Sequence, residues 1–405
     1  MSPGRLARRL LAPARRWQLA RRGDALAAGH RPVAGDPPPG PGAGGTVVLD
    51  LRERPLDRYP YSLGRLLFEG GYRVHLRVRS ERFGRGDKYG RELLALPGLT
   101  VETTRRGRPA GVPDGDPARI LWITEDPAAD VPDRPFRAVI RLRYDWAAAP
   151  AGALVLPFPL HPDHYRPAPQ SRPLDDLAAL RARDRTVGAL FAGAADPGVY
   201  GSGPIRETFH LVPRAALLAA LEGRPHAPSP LPPAESGNAR SALHAALRRQ
   251  GGTTRDRFVR PDGWKIGADE WLASLAEADF FLAPPGYRIP FSHNLTEALA
   301  VGTVPITNYG HLMRPALTDR EALLFNTPEQ LTERLREALA MPVDQRRAMG
   351  RAAAAYYDAH LAPAAFAGRL ERLIETAEAT PPTLYLVTHD LPPGPVPAPP
   401  DGRPA

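Results

Sequence analysis

Two successive series of short apolar runs, each about one strand long and separated by helical or polar stretches, constrain this chain more than any other feature. TVVLDL at 46–51 opens the first series; YRVHLRV (72–78), RILWIT (119–124), RAVIRL (137–142) and ALVL (153–156) continue it. Between the first two runs, Leu63, Leu66 and Leu67 recur at helical spacing before Gly70 and Gly71, which suits a helix stopped by glycine. Nearly continuous apolar strands joined by crossings predict a mainly parallel sheet covered on both faces.

The second series starts with VGALFAG (187–193) and continues through FFLAP, TVPIT (303–307) and EALLF (321–325). Helical patterns fall at 271–279, 293–301, 328–340 and 344–359, with a last one at 364–377. A chain of 405 residues exceeds the size at which one core keeps growing. The expectation is therefore an α/β protein of two Rossmann-like, doubly wound domains facing a cleft, spanning residues 46–175 and 176–363, with a closing helix at 364–379. The polar stretch from Arg79 to Gly98 is expected to be a mobile loop.

The ends read differently. Residues 1–22 mix arginines with Leu6, Leu10, Leu11 and Trp17, and RPVAGDPPPGPGAGG at 31–45 is a proline and glycine linker. Residues 1–45 are expected to be disordered, and 380–405 to form a proline-rich disordered tail broken only by LYLV at 384–387. No uninterrupted apolar stretch of the kind a secretory signal needs is present in the first 22 residues. The basic segment has two readings, a peripheral contact with anionic lipid or a solvated tail. The localisation expected is cytoplasmic, with any membrane association peripheral to the inner face.

Composition removes several chemistries. The chain has no cysteine, which excludes disulfides, thiolate metal sites and cysteine nucleophiles. Its net charge is +9, but Lys88 and Lys265 are the only lysines and no arginine run is interleaved with aromatics. A scattered arginine surface explains this better than a nucleic-acid interface. No His, Asp or Glu cluster has metal-ligand spacing, and Asp114-Gly115-Asp116 precedes a strand inside a proline and glycine loop, where a turn is the better reading.

The stretch FFLAPPGYRIPFSHNLTEALAVG at 280–302 carries the chemistry. Ligands of open parallel sheets bind beyond the carboxyl ends of the strands. Pro284 and Pro285 would end the strand, Gly286 would let backbone approach a ligand, and a helix beginning near Asn294 would offer free N–H groups to a phosphate. Asn294 and Glu297 also have the spacing of a capping box, which needs no ligand. Asn294-Leu295-Thr296 matches a glycosylation sequon, a poor fit to a cleft position in a chain with no export signal.

From Trp271 to Ile306, the strand, the PPG turn, the polar loop, Glu-Ala-Leu-Ala-Val-Gly and Val-Pro-Ile together resemble the nucleotide-sugar-binding segment of exostosin-like glycosyltransferases of the GT-B superfamily. The resemblance is close over this run, looser from 187 to 378 and architectural only before it. It implies that Glu297 accepts hydrogen bonds from ribose hydroxyls. It also implies that Gly286 and Tyr287 line the donor, with Ser292 and His293 at the helix entrance, that Gly193 admits the diphosphate, and that Arg206 offsets its charge. Exostosin-like sequences commonly have arginine where Asn294 stands, so Arg288 or Arg206 is expected to take over that contact. Retaining relatives often carry a second glutamate where Ile289 stands, which favours an inverting mechanism. Such a reaction needs a base; Asp145 and Glu125 are favoured over Asp50 and Asp126, with His161 and His164 as weaker candidates.

The resemblance thus implies a nucleotide-sugar-dependent glycosyltransferase acting on a glycan or cell-surface polysaccharide, with the nucleotide sugar as co-substrate, no further cofactor, no metal and no nucleic-acid partner. A non-catalytic nucleotide- or sugar-binding protein of the same fold is the alternative. A dinucleotide oxidoreductase would need a glycine-rich turn after the first strand, yet RERPLDRYPYS follows TVVLDL. On the capping-box reading, Glu297→Gln should leave folded stability nearly intact.

Overall fold

The computed structural model describes residues 3–52, 57–83, 88–104, 113, 115–125, 131–165, 175–201, 203–224, 226–231, 242–249, 254–261, 265–377 and 381–388. The chain divides into two compact units: one takes in the chain up to Leu156 and the segment from Pro363, the other Pro157–Tyr165 and Ser171–Ala362. The expected boundary at 175/176 thus falls earlier, and the closing helix, Pro363–Glu375, belongs to the first unit rather than the second. Glu371 on that helix explains the placement, because it accepts hydrogen bonds from the Tyr72 hydroxyl and the Arg137 guanidinium.

The first unit contains a seven-stranded, all-parallel sheet. Its strands are β1 (Thr46–Leu51), β2 (Arg73–Arg79), β3 (Thr100–Thr104), β4 (Ile120–Thr124), β5 (Ala138–Arg143), β6 (Leu154–Val155) and β13 (Thr383–Tyr385), in the order β3-β2-β1-β4-β5-β13-β6. The apolar runs of β1 and β4 are buried almost throughout, as a sheet covered on both faces requires.

Four expectations for this unit are corrected. Residues 3–29 form a helix, Pro3–Gly29, rather than a disordered segment; Asp24 anchors it by accepting from the hydroxyls of Ser80 (2.5 Å) and Thr103 (3.0 Å). The stretch expected to be a mobile loop holds helices Ser80–Phe83 and Lys88–Leu94, whose Phe83 and Leu93 are buried. β3 was not foreseen, because TVETT lies at the sheet edge and shows no apolar run. LYLV is no mere break in a tail: it supplies β13, which pairs with Arg141–Arg143 on one side and Leu154–Val155 on the other. Leu384 and Leu386 are fully buried there.

The second unit has a six-stranded parallel sheet. Its strands are β7 (Val187–Leu190), β8 (Ser229–Leu231), β9 (Thr254–Pro261), β10 (Ala278–Leu282), β11 (Val304–Thr307) and β12 (Leu323–Leu324), in the order β12-β11-β10-β7-β9-β8. β9 was missed because half of TRDRFVRP is charged; only Thr254, Phe258 and Val259 are buried. Helices Arg214–Leu221 and Pro328–Ala340 pack together against the sheet, and Ala268–Ala276, His293–Ala300 and Val343–Tyr356 form a second group against it. Both sheets are therefore doubly wound and Rossmann-like.

Chain order reverses between β7 and β10, so the crevice beyond their carboxyl ends is the topological switch point. At the opposite edge, arginines serve an internal purpose that composition did not reveal. Arg181 donates to Ala300 O (2.8 Å), Arg185 to Val301 O (2.8 Å) and Ala278 O (3.0 Å), and Arg346 to Leu339 O (2.7 Å) and Met341 O (2.8 Å). These carbonyls lie at or beside helix ends, where four go unpaired inside each helix and the dipole is negative. Part of the arginine excess thus holds the second sheet together instead of decorating its surface.

The buried β13 makes a direct test. Leu384→Ala is expected to lower the unfolding free energy by about 3 kcal/mol, the usual loss for a truncated core leucine, read as a lower urea midpoint. An unchanged midpoint would mean that this strand does not stabilise the first unit.

Candidate functional site

A cavity of about 600 Å³ opens in the second unit at the switch point. Ala192–Ala195 after β7, Arg260 and Pro261 at the end of β9, Lys265 and Ile266, Trp271, Asn294, Glu297, and His161 to His164 contribute its walls. All belong to the second unit, because the segment 157–165 packs with it.

That segment is held by one face of helix His293–Ala300. His293 Nδ1 donates to Pro159 O (2.7 Å), Thr296 Oγ1 donates to Phe158 O (2.7 Å), and Glu297 Oε1 accepts from the backbone N–H of His161 (2.7 Å). Positions 293, 296 and 297 have the i, i+3, i+4 spacing that puts three side chains on one helical face.

The capping box is not formed. Ser292 is the N-cap, the helix starts at His293, and Glu297 lies too far along it to reach back to the helix start. Asn294 instead donates through Nδ2 to Ala192 O (3.3 Å), tying the helix to the loop after β7. Thr296 is buried and hydrogen-bonded, so the sequon reads as helix rather than as a glycan acceptor.

Glu297 is 1% exposed, and its hydrogen bonds are made within the second unit. Oε1 also accepts from His164 Nε2 (3.0 Å), and Oε2 accepts from Trp271 Nε1 (2.5 Å). His164 Nδ1 faces Ala268 O at 3.1 Å. With Glu297 ionised, both ring nitrogens face groups that only accept, and the ring donates at both as an imidazolium. Burial alone would push the Glu297 carboxyl up, but the hydrogen bond and charge of His164 outweigh it and hold the group down to about 2. Burial likewise disfavours the His164 charge, and Glu297 overcomes it, leaving the histidine above its ordinary value.

His161 presents the other polarity. Its Nδ1 accepts from Asp163 N–H at 3.2 Å, so the neutral ring carries its proton on Nε2 and is a donor there. Arg214, which sequence reasoning missed, binds the two loops beyond β7 and β10. It donates to Ala194 O (2.9 Å) and Pro285 O (3.1 Å), and its guanidinium stacks on Tyr200 at 4.1 Å. A lone arginine beginning an alanine and leucine helix gives no signal of that role.

The other expected site residues are dispersed. Gly193 lies in the cavity wall, where a Cβ would stand 3.7 Å from both Arg214 Nη1 and Asn294 Nδ2, an ordinary contact. Arg206, on helix Gly203–Phe209, is exposed and does not line the cavity; Arg214, Arg260 and Lys265 are the cations nearer Gly193 or in the wall. Tyr287 and Arg288 are exposed on the loop after β10, the guanidinium 5.4 Å over the ring, and neither lines the cavity. Gly286 is required by the turn itself: a Cβ would meet Ile289 O at 2.5 Å, while its N–H donates to Pro290 O. Ser292 Oγ pairs with Tyr309 OH (3.2 Å).

The candidate bases belong to the first unit. Asp145 receives the guanidinium of Arg143, and Glu125 accepts from Tyr144 OH (2.5 Å). Asp50 is buried in a network with Arg52 (2.6 Å) and Arg77 (2.9 Å). Asp126 and Asp114 lie outside the described residues; Asp116 accepts from Ala118 N–H in a turn. Among the described residues no three His, Asp or Glu side chains converge as a metal site, and no helix is long and apolar enough to cross a membrane.

No protein-family model matches the sequence, and no curated protein matches it. Among solved structures the chain is similar to HepE of Anabaena in complex with UDP, at 12% identity and a TM-score of 0.43 over 82% of this chain and 100% of that one. It is also similar to a glycosyltransferase from Rickettsia africae (9%, TM-score 0.42, 82% and 98%) and to sucrose-phosphate synthase from Thermosynechococcus elongatus (14%, TM-score 0.39, 82% and 98%). These are distant likenesses of fold.

The buried pair corrects the expected harmlessness of Glu297→Gln. Removing one partner strands a buried imidazolium, for a loss of about 3–5 kcal/mol. Glu297, with its folded value depressed, stabilises above its unfolded value near 4.5 and loses that contribution as pH falls toward about 2. His164, with its value raised, stabilises below 6.5 and loses that contribution as pH climbs through the raised value. Urea unfolding from pH 2 to 8 should show both limbs in the wild type and neither in Glu297→Gln. Superimposable curves would contradict the ion pair.

Proposed function

We propose that this chain is a nucleotide-sugar-dependent glycosyltransferase of GT-B type, exostosin-like, inverting and metal-independent, transferring a sugar to a glycan or cell-surface polysaccharide. The observation that carries the reading is the cavity at the switch point of the second sheet. There the Gly193 backbone, Arg260, Lys265 and the start of helix His293–Ala300 offer donors and positive charge beside the carboxylate of Glu297. A nucleoside diphosphate matches both demands: its phosphates suit the cations and helix start, and a ribose hydroxyl suits the carboxylate.

In the transfer, the acceptor hydroxyl oxygen forms a bond to the anomeric carbon as the bond to the diphosphate oxygen breaks. The hydroxyl proton passes to a carboxylate base, and the nucleoside diphosphate leaves with the electron pair of the broken bond. Asp145 and Glu125 are the proposed bases. Their engagement by Arg143 and Tyr144 is the specific observation behind the second reading, a nucleotide- or sugar-binding protein without catalysis. The helix Pro3–Gly29 supports peripheral contact with an anionic membrane, since exposed Trp17 stands among Arg15, Arg16, Arg21 and Arg22.

Thermal shifts with UDP, GDP, ADP and CMP are expected to single out one diphosphate, raising Tm by several degrees at saturation. Gly193→Ala should fold normally and lose most of that shift, because its methyl enters the phosphate space without meeting protein closer than ordinary contact. No shift with any nucleotide would overturn the reading. For the chemistry, transfer measured in excess chelator should persist, and either Asp145→Asn or Glu125→Gln should lower kcat by roughly 10²–10⁴-fold with donor affinity unchanged. Full activity in both variants would exclude the two as bases, and nucleotide binding without transfer or donor hydrolysis in the wild type would favour the binding protein.

A further inference from the structure

The hydrogen bonds already made by Glu297 limit what it can still recognise. A carboxylate offers about four acceptor positions, two on each oxygen. Oε1 is filled by the His161 N–H and His164 Nε2–H, and Oε2 is half filled by the Trp271 Nε1–H. Among the described residues no further donor reaches it, so one position remains, on Oε2. A ribose diol presents two hydroxyls, so the protein as it stands can receive only one of them at this carboxylate.

We infer that Glu297 reads a single ribose hydroxyl and that Trp271 determines this by occupying the second position on Oε2. The inference rests on the nucleoside diphosphate reading of the cavity and adds a specificity-determining residue to it. Trp271 is well placed to keep its position. It stands on helix Ala268–Ala276, its ring meets Phe281 edge-on at 5.9 Å, and the carbonyl of Ala268 on the same helix receives His164 Nδ1–H. Displacing the indole for a second hydroxyl would exchange one charge-assisted hydrogen bond for another while breaking the edge contact. The two histidine-side donors are less exchangeable still, since one is backbone and the other carries the balancing charge. Trp271 itself is half-buried and forms part of the cavity wall, so its indole and an incoming ribose compete for the same oxygen.

Isothermal titration with UDP, GDP and ADP, each beside its 2′-deoxy and 3′-deoxy analogue, tests this. In the wild type, one deoxy analogue of the bound nucleotide should weaken by roughly 10- to 100-fold, the worth of a hydrogen bond to a charged acceptor, and the other should bind unchanged. Trp271→Phe keeps a ring against Phe281 but has no donor, so both deoxy analogues should then weaken. A purely structural role for Trp271 would not change which hydroxyl matters. If the wild type already weakens with both analogues, or with neither, or if Trp271→Phe keeps the one-hydroxyl pattern, the inference is overturned while diphosphate binding stands. Failure of every nucleotide to bind removes the site reading and the inference together. The wild-type arms decide the matter even if Trp271→Phe does not fold.

Discussion

The candidate site depends on one buried charge pair, the Glu297 carboxylate with the His164 imidazolium. An ion taken out of water is costly unless partnered and hydrogen-bonded. Here the carboxylate receives the His164 ring, a backbone N–H from the same segment and the Trp271 indole. Those three donors come from two stretches of chain, and the carboxylate on helix His293–Ala300 brings them together. The segment 158–164 lies where it does because the face of that helix presents His293, Thr296 and Glu297 to it. The cavity wall is thus assembled by the same contacts that would present its carboxylate to a ligand.

The two edges of the second sheet divide the work. At the carboxyl ends of β7 and β10, backbone and side-chain donors are turned toward a cavity, and Arg214 holds the two loops in register through Ala194 O and Pro285 O. At the amino ends, Arg181, Arg185 and Arg346 answer the carbonyls around helix ends. Arginine suits both places because one planar group can serve several acceptors at once. Glycines show the same division: Gly302, at a φ of +72°, ends helix His293–Ala300 in a conformation that disfavours a side chain, whereas Gly193 has no such backbone need. Only the second kind leaves room that a ligand can use.

Several elements were legible because their residues follow local rules. TVVLDL became β1 over the expected residues, and Pro328–Ala340 formed the helix its pattern predicts, capped by Thr327. β3, β8 and β9 were not recognised, because short edge strands and strands with charged residues lack the apolar periodicity on which the reading relies, and β13 is a three-residue strand inside a proline-rich stretch whose partners are distant in sequence. Glu297 was picked out by resemblance, whereas its partners His164 and Trp271 lie far from it in sequence and no spacing links them. The capping box failed for a local reason of its own: the helix began at His293, and that small shift moved both box residues out of position.

What the sequence determined by itself is the alternation of strand and helix, and with it two mainly parallel sheets; the switch point in the second sheet came with β8 and β9, which only the structure supplied. Period and apolarity are properties of neighbours along the chain, so they can be read without knowing what meets what. What only the tertiary structure decided is the state of the carboxylate at that switch point, and the return of residues 383–385 to the first sheet. Both depend on distant partners: His164 and Trp271 set the charge and remaining capacity of Glu297, and the gap between β5 and β6 gives the LYLV segment its hydrogen bonds. A hydrogen-bond count is a property of assembled neighbours, and no reading of consecutive residues contains it.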